Sequence, residues 1–245
     1  MTIRVGVGGW SFEPWEETFY PSDLAKAKQL EYAASKLTAI EINATFYRTQ
    51  SAASFRKWAE ATPKGFMFSV KAPRAAVQRK DLREAKESIE WFFNSGVSEL
   101  GAKLGPIFWQ MAPYKKFDAD EMNAYFDMLP EKVKDVPLRH ALEVRHASFQ
   151  DESFLKIARE RNIAVVTVES EKHPLIMEPT ADFSYARLEL TQADEPTGYS
   201  KAGLRKWAQT ARDWEKSGDV FLYFISGAKE RNPAAAMAML DILKA

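Results

Sequence analysis

Apolar residues along the chain gather into short runs that are separated by amphipathic stretches. Eight of these runs have the length of a β-strand, and they cover residues 3–9, 39–43, 66–72, 106–111, 140–145, 163–169, 183–190 and 219–226. Between most of them, apolar residues recur at i, i+3 and i+4, which is the spacing of a helix with one buried face. Strands and helices are therefore predicted to alternate, the order typical of parallel α/β folds.

Short polar residues mark several helix starts. Ser51, Asp81 and Asp118 each precede a helical stretch, where their side chains can accept hydrogen bonds from free N–H groups. One interval breaks the alternation, because residues 170–182 contain two prolines and no helical period. The helix after the sixth strand is therefore predicted to be missing or irregular.

Eight strands with intervening helices, in 245 residues without a linker or repeat, predict one domain over residues 1–245. The predicted fold is an α/β, TIM-type (β/α)8 barrel, and a doubly wound open sheet is the alternative. Most loops that enter the strands are short, whereas many loops that leave them are long. The C-terminal face of the barrel, where enzymes of this fold hold their active sites, is thus the predicted functional face.

Composition narrows the classes of partner. Lys plus Arg equals Asp plus Glu at 34 each, so no overall basic field attracts nucleic acid or an anionic membrane. The absence of cysteine excludes disulfides and thiolate metal sites, and it agrees with the reducing cytoplasm, which is the expected location. No apolar run reaches the ~20 residues of a membrane span, so no membrane partner is expected. The sequence does not indicate an oligomeric state.

Polar residues interrupt the apolar runs in a pattern that predicts a site. Because side chains alternate along a strand, Glu41 and Asn43 in the second strand and Glu143 and Arg145 in the fifth are predicted to face the barrel interior. The same alternation predicts inward positions for Lys71, Gln110, Thr167, Glu169, Arg187, Glu189 and Ser226. Unpaired buried charges would each cost several kcal/mol. The set is therefore either a self-neutralising polar layer or a substrate pocket, and its position at the strand ends favours the pocket.

The carboxylates and guanidinium groups suit different roles. Glu143 and Glu169 are the candidate general acids or bases, and each is equally suited to orienting Arg145. Arg145 and Arg187 suit clamping a carboxylate or phosphate, because a guanidinium stays charged and offers a fork of donors.

The remaining chemistry-bearing residues leave alternatives open. Lys71 is either a Schiff-base lysine or, as we expect, a cationic contact. His146 either shuttles protons or makes local hydrogen bonds. It has no ligand spacing with the other two histidines, so no zinc or iron site and no other cofactor is predicted, while Mg²⁺ held by glutamates stays open. Near the C-terminus, Asn232 can cap a helix and Lys229 can meet an anion there.

Five motifs identify a family resemblance along nearly the whole chain. They are "GGWSFEPWEETFYP", "EINATFYR", "FMFSVKAPR", "LGPIFWQMAP" and "EVRHASF", and together they resemble the YecE-like proteins, domain of unknown function family 72. The resemblance implies a TIM-type barrel but no established reaction. It also implies a set of site positions, namely Glu41, Asn43, Tyr47, Arg48, Lys71, Gln110, Glu143, Arg145 and His146.

The C-terminal third departs from the family pattern, as expected of a divergent member. The chain has "RLEL", with Glu189, where the family shows Arg-Leu-His-Gly, and it has "FIS", with Ser226, where Phe-Asn-Asn is expected. Glu169 stands in the place of an aspartate. The resemblance therefore implies an altered far wall of the pocket.

These residues predict an enzyme with hydrolase or lyase/isomerase chemistry. A small anionic or polyol substrate would bind among Arg48, Lys71, Arg145 and Arg187. The alternative is a non-catalytic module that binds a phosphate-bearing ligand at the same face. Nucleic acid is a disfavoured partner of such a module, because the chain has no net positive charge.

Overall fold

The computed structural model describes residues 2–244, so the first and last residues of the predicted domain lie outside the described part. Within these residues the structure has the eight predicted strands, the sixth of them divided at Val166, and two short strands at 132–133 and 136–137 that were not predicted. They are β1 (Ile3–Gly8), β2 (Ala39–Ile42), β3 (Met67–Lys71), β4 (Leu104–Gln110), β5 (Lys132–Val133), β6 (Val136–Pro137), β7 (His140–Glu143), β8 (Ile163–Val165), β9 (Thr167–Glu169), β10 (Phe183–Leu188) and β11 (Asp219–Phe224).

Nine of the strands form one parallel sheet in the order β8-β7-β4-β3-β2-β1-β11-β10-β9. The two strands at the ends of this order, β8 and β9, are separated in the chain by Val166 alone. Because β8 pairs with β7 and β9 pairs with β10, the chain itself connects the two ends of the sheet. The sheet is a nearly closed barrel, so the predicted TIM-type fold is confirmed and the open-sheet alternative is wrong.

The helices cover the outside of this barrel. They are α1 (Trp15–Thr18), α2 (Gln29–Lys36), α3 (Ala44–Tyr47), α4 (Ala52–Glu60), α5 (Arg74–Val77), α6 (Lys86–Asn94), α7 (Ala119–Phe126), α8 (Glu152–Glu160), α9 (Lys201–Glu215) and α10 (Asn232–Lys244). Residues 170–182 contain no helix, as predicted. None of the helices within residues 2–244 is both long and apolar enough to cross a bilayer.

Local capping explains where several helices begin. Ser51 accepts a hydrogen bond from the backbone N–H of Ser54, and Asp118 accepts one from Glu121. The predicted cap at Asn232 is wrong, because α10 already begins at this residue. Its buried side chain instead accepts a hydrogen bond from Thr191 and donates one to the carbonyl of Ser226.

Strand side chains divide into an outer and an inner apolar cluster. The outer cluster joins Ile40, Leu142 and their neighbours to the helices. The inner cluster fills the barrel, where the rings of Phe108 and Tyr185 stack with centroids 5.5 Å apart. The barrel interior is therefore a packed core. Towards the C-terminal ends of the strands, charged and polar side chains take the inward positions, while at the opposite end Arg139 and Asp219 form a partly exposed ion pair.

Candidate functional site

A layer of buried polar side chains closes the C-terminal end of the barrel core. It takes one residue from the end of each of five strands, and each of these residues is at most 8 % exposed: Glu41, Lys71, Gln110, Glu143 and Arg187. The predicted inward position of these five side chains is confirmed by their mutual contacts. We call this layer, with the partly exposed Arg145 and Glu189 beside it, the barrel mouth.

Glu143 is the centre of the hydrogen-bond network in the barrel mouth. Its Oε1 accepts hydrogen bonds from Gln110 Nε2 at 2.8 Å and from Arg145 Nε at 2.6 Å. Its Oε2 accepts one from Arg187 Nη1 at 2.6 Å. Gln110 in turn accepts a hydrogen bond from Lys71 Nζ at 2.7 Å. Four strand ends are thus fixed to one another by one carboxylate.

Arg187 links the carboxylate of Glu143 to those of Glu41 and Glu189. Its Nε donates to Glu41 at 3.2 Å, and its Nη1 donates to Glu189 at 3.1 Å. The hydroxyl of Tyr185 also donates to Glu41, at 2.7 Å. The guanidinium lies 4.8 Å from the ring centre of Phe108, the top of the apolar core. Arg187 therefore neutralises buried acids and occupies the space between them.

The environment drives the pKa values of these groups in different directions. Burial alone would raise the pKa of Glu143, but the adjacent Arg187 and Arg145 outweigh it and lower this pKa to about 2. Burial and the neighbouring Arg187 lower the pKa of Lys71 to about 8. Burial raises the pKa of Glu189 above its ordinary value, against the opposing effect of Arg187. Glu143 therefore stays ionised at neutral pH, whereas the pKa values of Lys71 and Glu189 are shifted towards neutral pH.

Arg145 differs from Arg187 in having unused donors. Its side chain is 21 % exposed, and Nε is committed to Glu143. Among residues 2–244, its Nη1 and Nη2 have no hydrogen-bond partner. A guanidinium whose orientation is fixed through Nε presents two parallel donors to any carboxylate or phosphate that enters the mouth.

Comparison with known proteins places the chain in a family. The sequence model described as protein of unknown function DUF72 matches residues 4–245. The chain belongs to the DUF72 family. It is 27% identical to the UPF0759 protein YunF of Bacillus subtilis (strain 168) over 220 residues, which cover 87% of this chain and 73% of YunF.

Two solved structures share the fold of this DUF72 protein. The crystal structure of a DUF72 family protein from Thermotoga maritima MSB8 has a TM-score of 0.80 at 21% identity, with 100% of both chains covered. A more distant structure, D-psicose 3-epimerase with D-tagatose from Clostridium cellulolyticum H10, has a TM-score of 0.56 at 12% identity and covers 98% of both chains. At these identities the likeness extends to the fold alone.

The predicted parity of the sixth strand is wrong in this DUF72 protein. Val166 and Val168 belong to the inner cluster, so Thr167 and Glu169 point outwards. Glu169 accepts hydrogen bonds from Tyr199 and from Trp207 Nε1, the latter at 2.7 Å. Glu169 is thus separated from the barrel mouth by its own strand, and we withdraw it as an acid or base.

The inward position predicted for Ser226 is also wrong. Ile225 belongs to the inner cluster, and the chain turns at Ser226 with a φ of 62°. The carbonyl of Ser226 accepts hydrogen bonds from Thr191, in the loop after β10, and from Asn232, the first residue of α10. Ser226 therefore shapes the turn after β11 and does not reach the mouth.

Other predicted site residues lie around the mouth but outside its network. The imidazole Nδ1 of His146 accepts a hydrogen bond from the backbone N–H of Ser148 at 3.1 Å and caps a short 3₁₀ turn. Asn43 is partly exposed and donates weakly to the carbonyl of Glu41. Tyr47 and Arg48 are exposed and lie in a neighbouring groove.

Sequence reasoning missed two residues of the mouth. Tyr185 is hidden within an apolar run, and only its even spacing from Arg187 indicates an inward position. His173 lies in residues 170–182, and burial followed by the nearby Arg145 lowers its pKa. Its Nδ1 is buried without a hydrogen-bond partner in the described part of the chain. Its distance in sequence from Arg145 leaves no local signal of this proximity.

The acidic residues are not arranged as metal ligands. Within residues 2–244, no three His, Asp or Glu side chains are grouped as a metal site requires. Glu41, Glu143 and Glu189 each contact Arg187 instead. The glutamates that the sequence allowed as Mg²⁺ ligands thus bind a guanidinium.

Proposed function

We propose that this DUF72 protein is an enzyme whose barrel mouth binds a small anionic or polyol substrate. The observation that carries the proposal is the free fork of Arg145, which Glu143 orients while Nη1 and Nη2 remain unpaired within residues 2–244. These two donors are not buried, so they are open to an anionic group that enters the mouth and takes the place of water. An anionic group of the substrate supplies the missing partners.

Lys71 and Glu189 are the groups best suited to proton transfer in this mouth. The pKa of Lys71 is about 8, so the amine exchanges its proton near neutral pH. Burial raises the pKa of Glu189, which moves it in the same direction. The pKa values of both groups are thus shifted towards neutral pH. Such groups can serve as the acid and the base of an isomerase, lyase or hydrolase reaction.

Glu143 has a positioning role in this proposal. Its pKa of about 2 makes it a poor general acid or base at neutral pH. Both of its oxygens are committed to Gln110, Arg145 and Arg187. It therefore holds the anion-binding guanidinium in place, the second of the two roles that the sequence left open.

Anion-induced thermal stabilisation tests the binding step. Phosphate, sulfate and citrate are expected to raise the melting temperature of the wild type. In Arg145→Lys the charge remains but the fork is lost, so affinity should fall by about tenfold, a loss of ~1.4 kcal/mol. The matched control is Arg161→Lys, because Arg161 also pairs with a carboxylate and is 27% exposed at the other end of the barrel. Equal stabilisation in Arg145→Lys and the wild type contradicts the proposal.

A substrate screen tests catalysis. Turnover found among phosphorylated or carboxylated sugars and polyols should be abolished in Glu189→Gln and Lys71→Met, while sulfate binding survives in Glu189→Gln. Unchanged turnover in both variants contradicts the acid–base assignment. Sulfate binding without turnover across the panel supports the alternative, a non-catalytic module.

A further inference from the structure

A second concave surface lies beside the barrel mouth. It is a groove of about 570 Å³ between the short helices α3 and α5, which follow β2 and β3, and α6. Its main lining residues are Phe46, Tyr47, Arg48, Arg74 and Trp91. We call it the side groove. Its volume falls within the range of roughly 300–1,000 Å³ that is typical of small-molecule sites.

Two exposed aromatic rings face this groove. The side chain of Tyr47 is 82% exposed and that of Trp91 is 58% exposed. Among the described residues, three other large hydrophobic side chains are exposed, namely Tyr114, Leu175 and Met177. Two exposed rings that line one groove provide flat apolar faces on which a planar ligand can stack.

The side groove is also positively charged. Arg48 and Arg74 line it and are exposed, and none of its described lining residues is acidic. The chain as a whole has no net charge, so these two arginines are a local excess. Arg74 uses Nε to bond Gln78 at 2.8 Å, which orients its guanidinium. Such a surface attracts phosphate.

Phe46 separates this groove from the network of the mouth. Its ring is 8% exposed, and Lys71 Nζ lies 4.3 Å from the ring centre on the mouth side. Thr45, which also lines the groove, donates a hydrogen bond to the carbonyl of Lys71 at 2.6 Å. The two sites are therefore neighbours with a common wall and separate sets of polar groups.

We propose that the side groove binds a nucleotide, with the base against Trp91 or Tyr47 and the phosphate on Arg48 and Arg74. A phosphate alone would leave the two rings without a role, and a neutral sugar would leave the two arginines without one. A ligand that has both a planar base and a phosphate complements all four side chains. The inference is independent of the function proposed for the mouth.

Calorimetric titration with AMP, ribose 5-phosphate and adenosine tests this inference. AMP is expected to bind more tightly than either fragment. Trp91→Leu and Tyr47→Ser should each weaken AMP binding by about tenfold and leave ribose 5-phosphate binding nearly unchanged. In the Arg145→Lys background, in which anion binding by the mouth is weakened, Arg74→Gln should weaken both phosphorylated ligands but not adenosine. These residues are exposed, so the variants should fold as the wild type does, and circular dichroism checks that they are folded.

Matched variants locate the binding. Tyr114→Ser replaces another exposed aromatic residue, Arg159→Gln replaces another exposed arginine, and both should bind AMP as the wild type does. Arg145→Lys should also leave AMP affinity unchanged. The proposal is overturned if AMP does not bind, if the groove variants bind it normally, or if Arg145→Lys alone abolishes binding, since the nucleotide then lies in the mouth.

Discussion

At the scale of single residues, ionisation in the barrel mouth depends on which partners each group has. Glu143 and Glu189 both contact Arg187, yet the pKa of Glu143 is lowered to about 2 while that of Glu189 is raised. Burial raises the pKa of both groups, but Glu143 has a direct hydrogen bond from a second guanidinium, Arg145, at 2.6 Å, whereas Glu189 lies beside the negative charge of Glu143, which raises its pKa further. A carboxylate with two such neighbours stays ionised despite complete burial.

This dependence on partners explains what the sequence revealed about the site. Strand alternation was enough to place Glu41, Lys71, Gln110, Glu143 and Arg187 in the interior. It was not enough to identify the general base, because the partners of each side chain come from other strands. Residue type alone therefore left Glu143 open as an acid, a base or an orienter of Arg145, and its neighbours make it unsuitable for the first two roles.

Lys71 provides a prediction at this scale. Its pKa is about 8, so it carries a positive charge at pH 7 and loses it as the pH rises through 8. Since Lys71 and Arg145 are both part of the mouth network, loss of this charge should weaken sulfate binding between pH 7 and 9. We expect a fall of about tenfold, or ~1.4 kcal/mol, measured by thermal shift or calorimetry.

Sulfate is the suitable probe because its own charge does not change over this interval. Lys71→Met should bind sulfate weakly at pH 7 and should show no further loss up to pH 9. A pH dependence that persists in Lys71→Met would assign the titration to another group.

At the scale of elements, the sixth strand shows where the periodic pattern misleads. Its run "IAVVTVE" is apolar at most positions, so alternation alone allows either face to point inwards. Elsewhere in the barrel mouth the polar residue is the inward one, and that regularity suggested Thr167 and Glu169. In the structure Thr167 donates to the carbonyl of Ile176 at 2.8 Å, and Glu169 binds α9.

The missing helix accounts for this reversal. A helix packed over the sixth strand would require apolar outward side chains. Residues 170–182 instead bring the carbonyl of Ile176 to Thr167, while Tyr199, just before α9, and Trp207 in α9 donate hydrogen bonds to Glu169. Polar outward side chains are thereby satisfied. The irregular segment was visible in the sequence, but the consequence for strand parity was not.

Glu169→Gln tests the corrected position. The amide keeps the shape but weakens two charge-assisted hydrogen bonds, so the free energy of unfolding should fall by about 1–2 kcal/mol in urea titrations. Sulfate binding should stay at the wild-type level, since Glu169 lies outside the mouth. The control is Glu171→Gln, an exposed position two residues further along, which should change neither quantity. A fall in sulfate affinity comparable with that of Arg145→Lys would restore Glu169 to the site.

At the scale of the whole molecule, the two ends of the barrel use buried ionisable groups differently. The C-terminal end holds carboxylates and cations that neutralise one another. The N-terminal end holds His140, whose Nδ1 accepts a hydrogen bond from Trp109 at 3.1 Å and whose Nε2 donates to the carbonyl of Pro130 at 2.8 Å. A second proton on Nδ1 would face the N–H of Trp109. His140 is therefore built into the core as a neutral ring.

The sequence predicted the barrel, but only in part the different ionisable groups at its two ends. Alternating apolar runs were sufficient for the barrel, because parallel strands buried on both faces and amphipathic helices have distinct periods. The sequence does not indicate the buried, neutral role of His140. Its partners, Trp109 on β4 and Pro130 after α7, approach it only when the barrel is complete.

His140 sets the response of the fold to acid. Burial lowers its pKa to about 4, against an ordinary value of 6.5. Between these values the unfolded chain binds more protons than the folded chain, so stability rises with pH and is lost as the pH falls from 6.5 through 4. The loss from this residue should reach about 3 kcal/mol. In His140→Gln the amide supplies a donor and an acceptor but does not titrate. The free energy of unfolding of this variant, measured in urea, should therefore fall correspondingly less between pH 6.5 and 4. An equal dependence on pH in both proteins would show that His140 is not the group responsible.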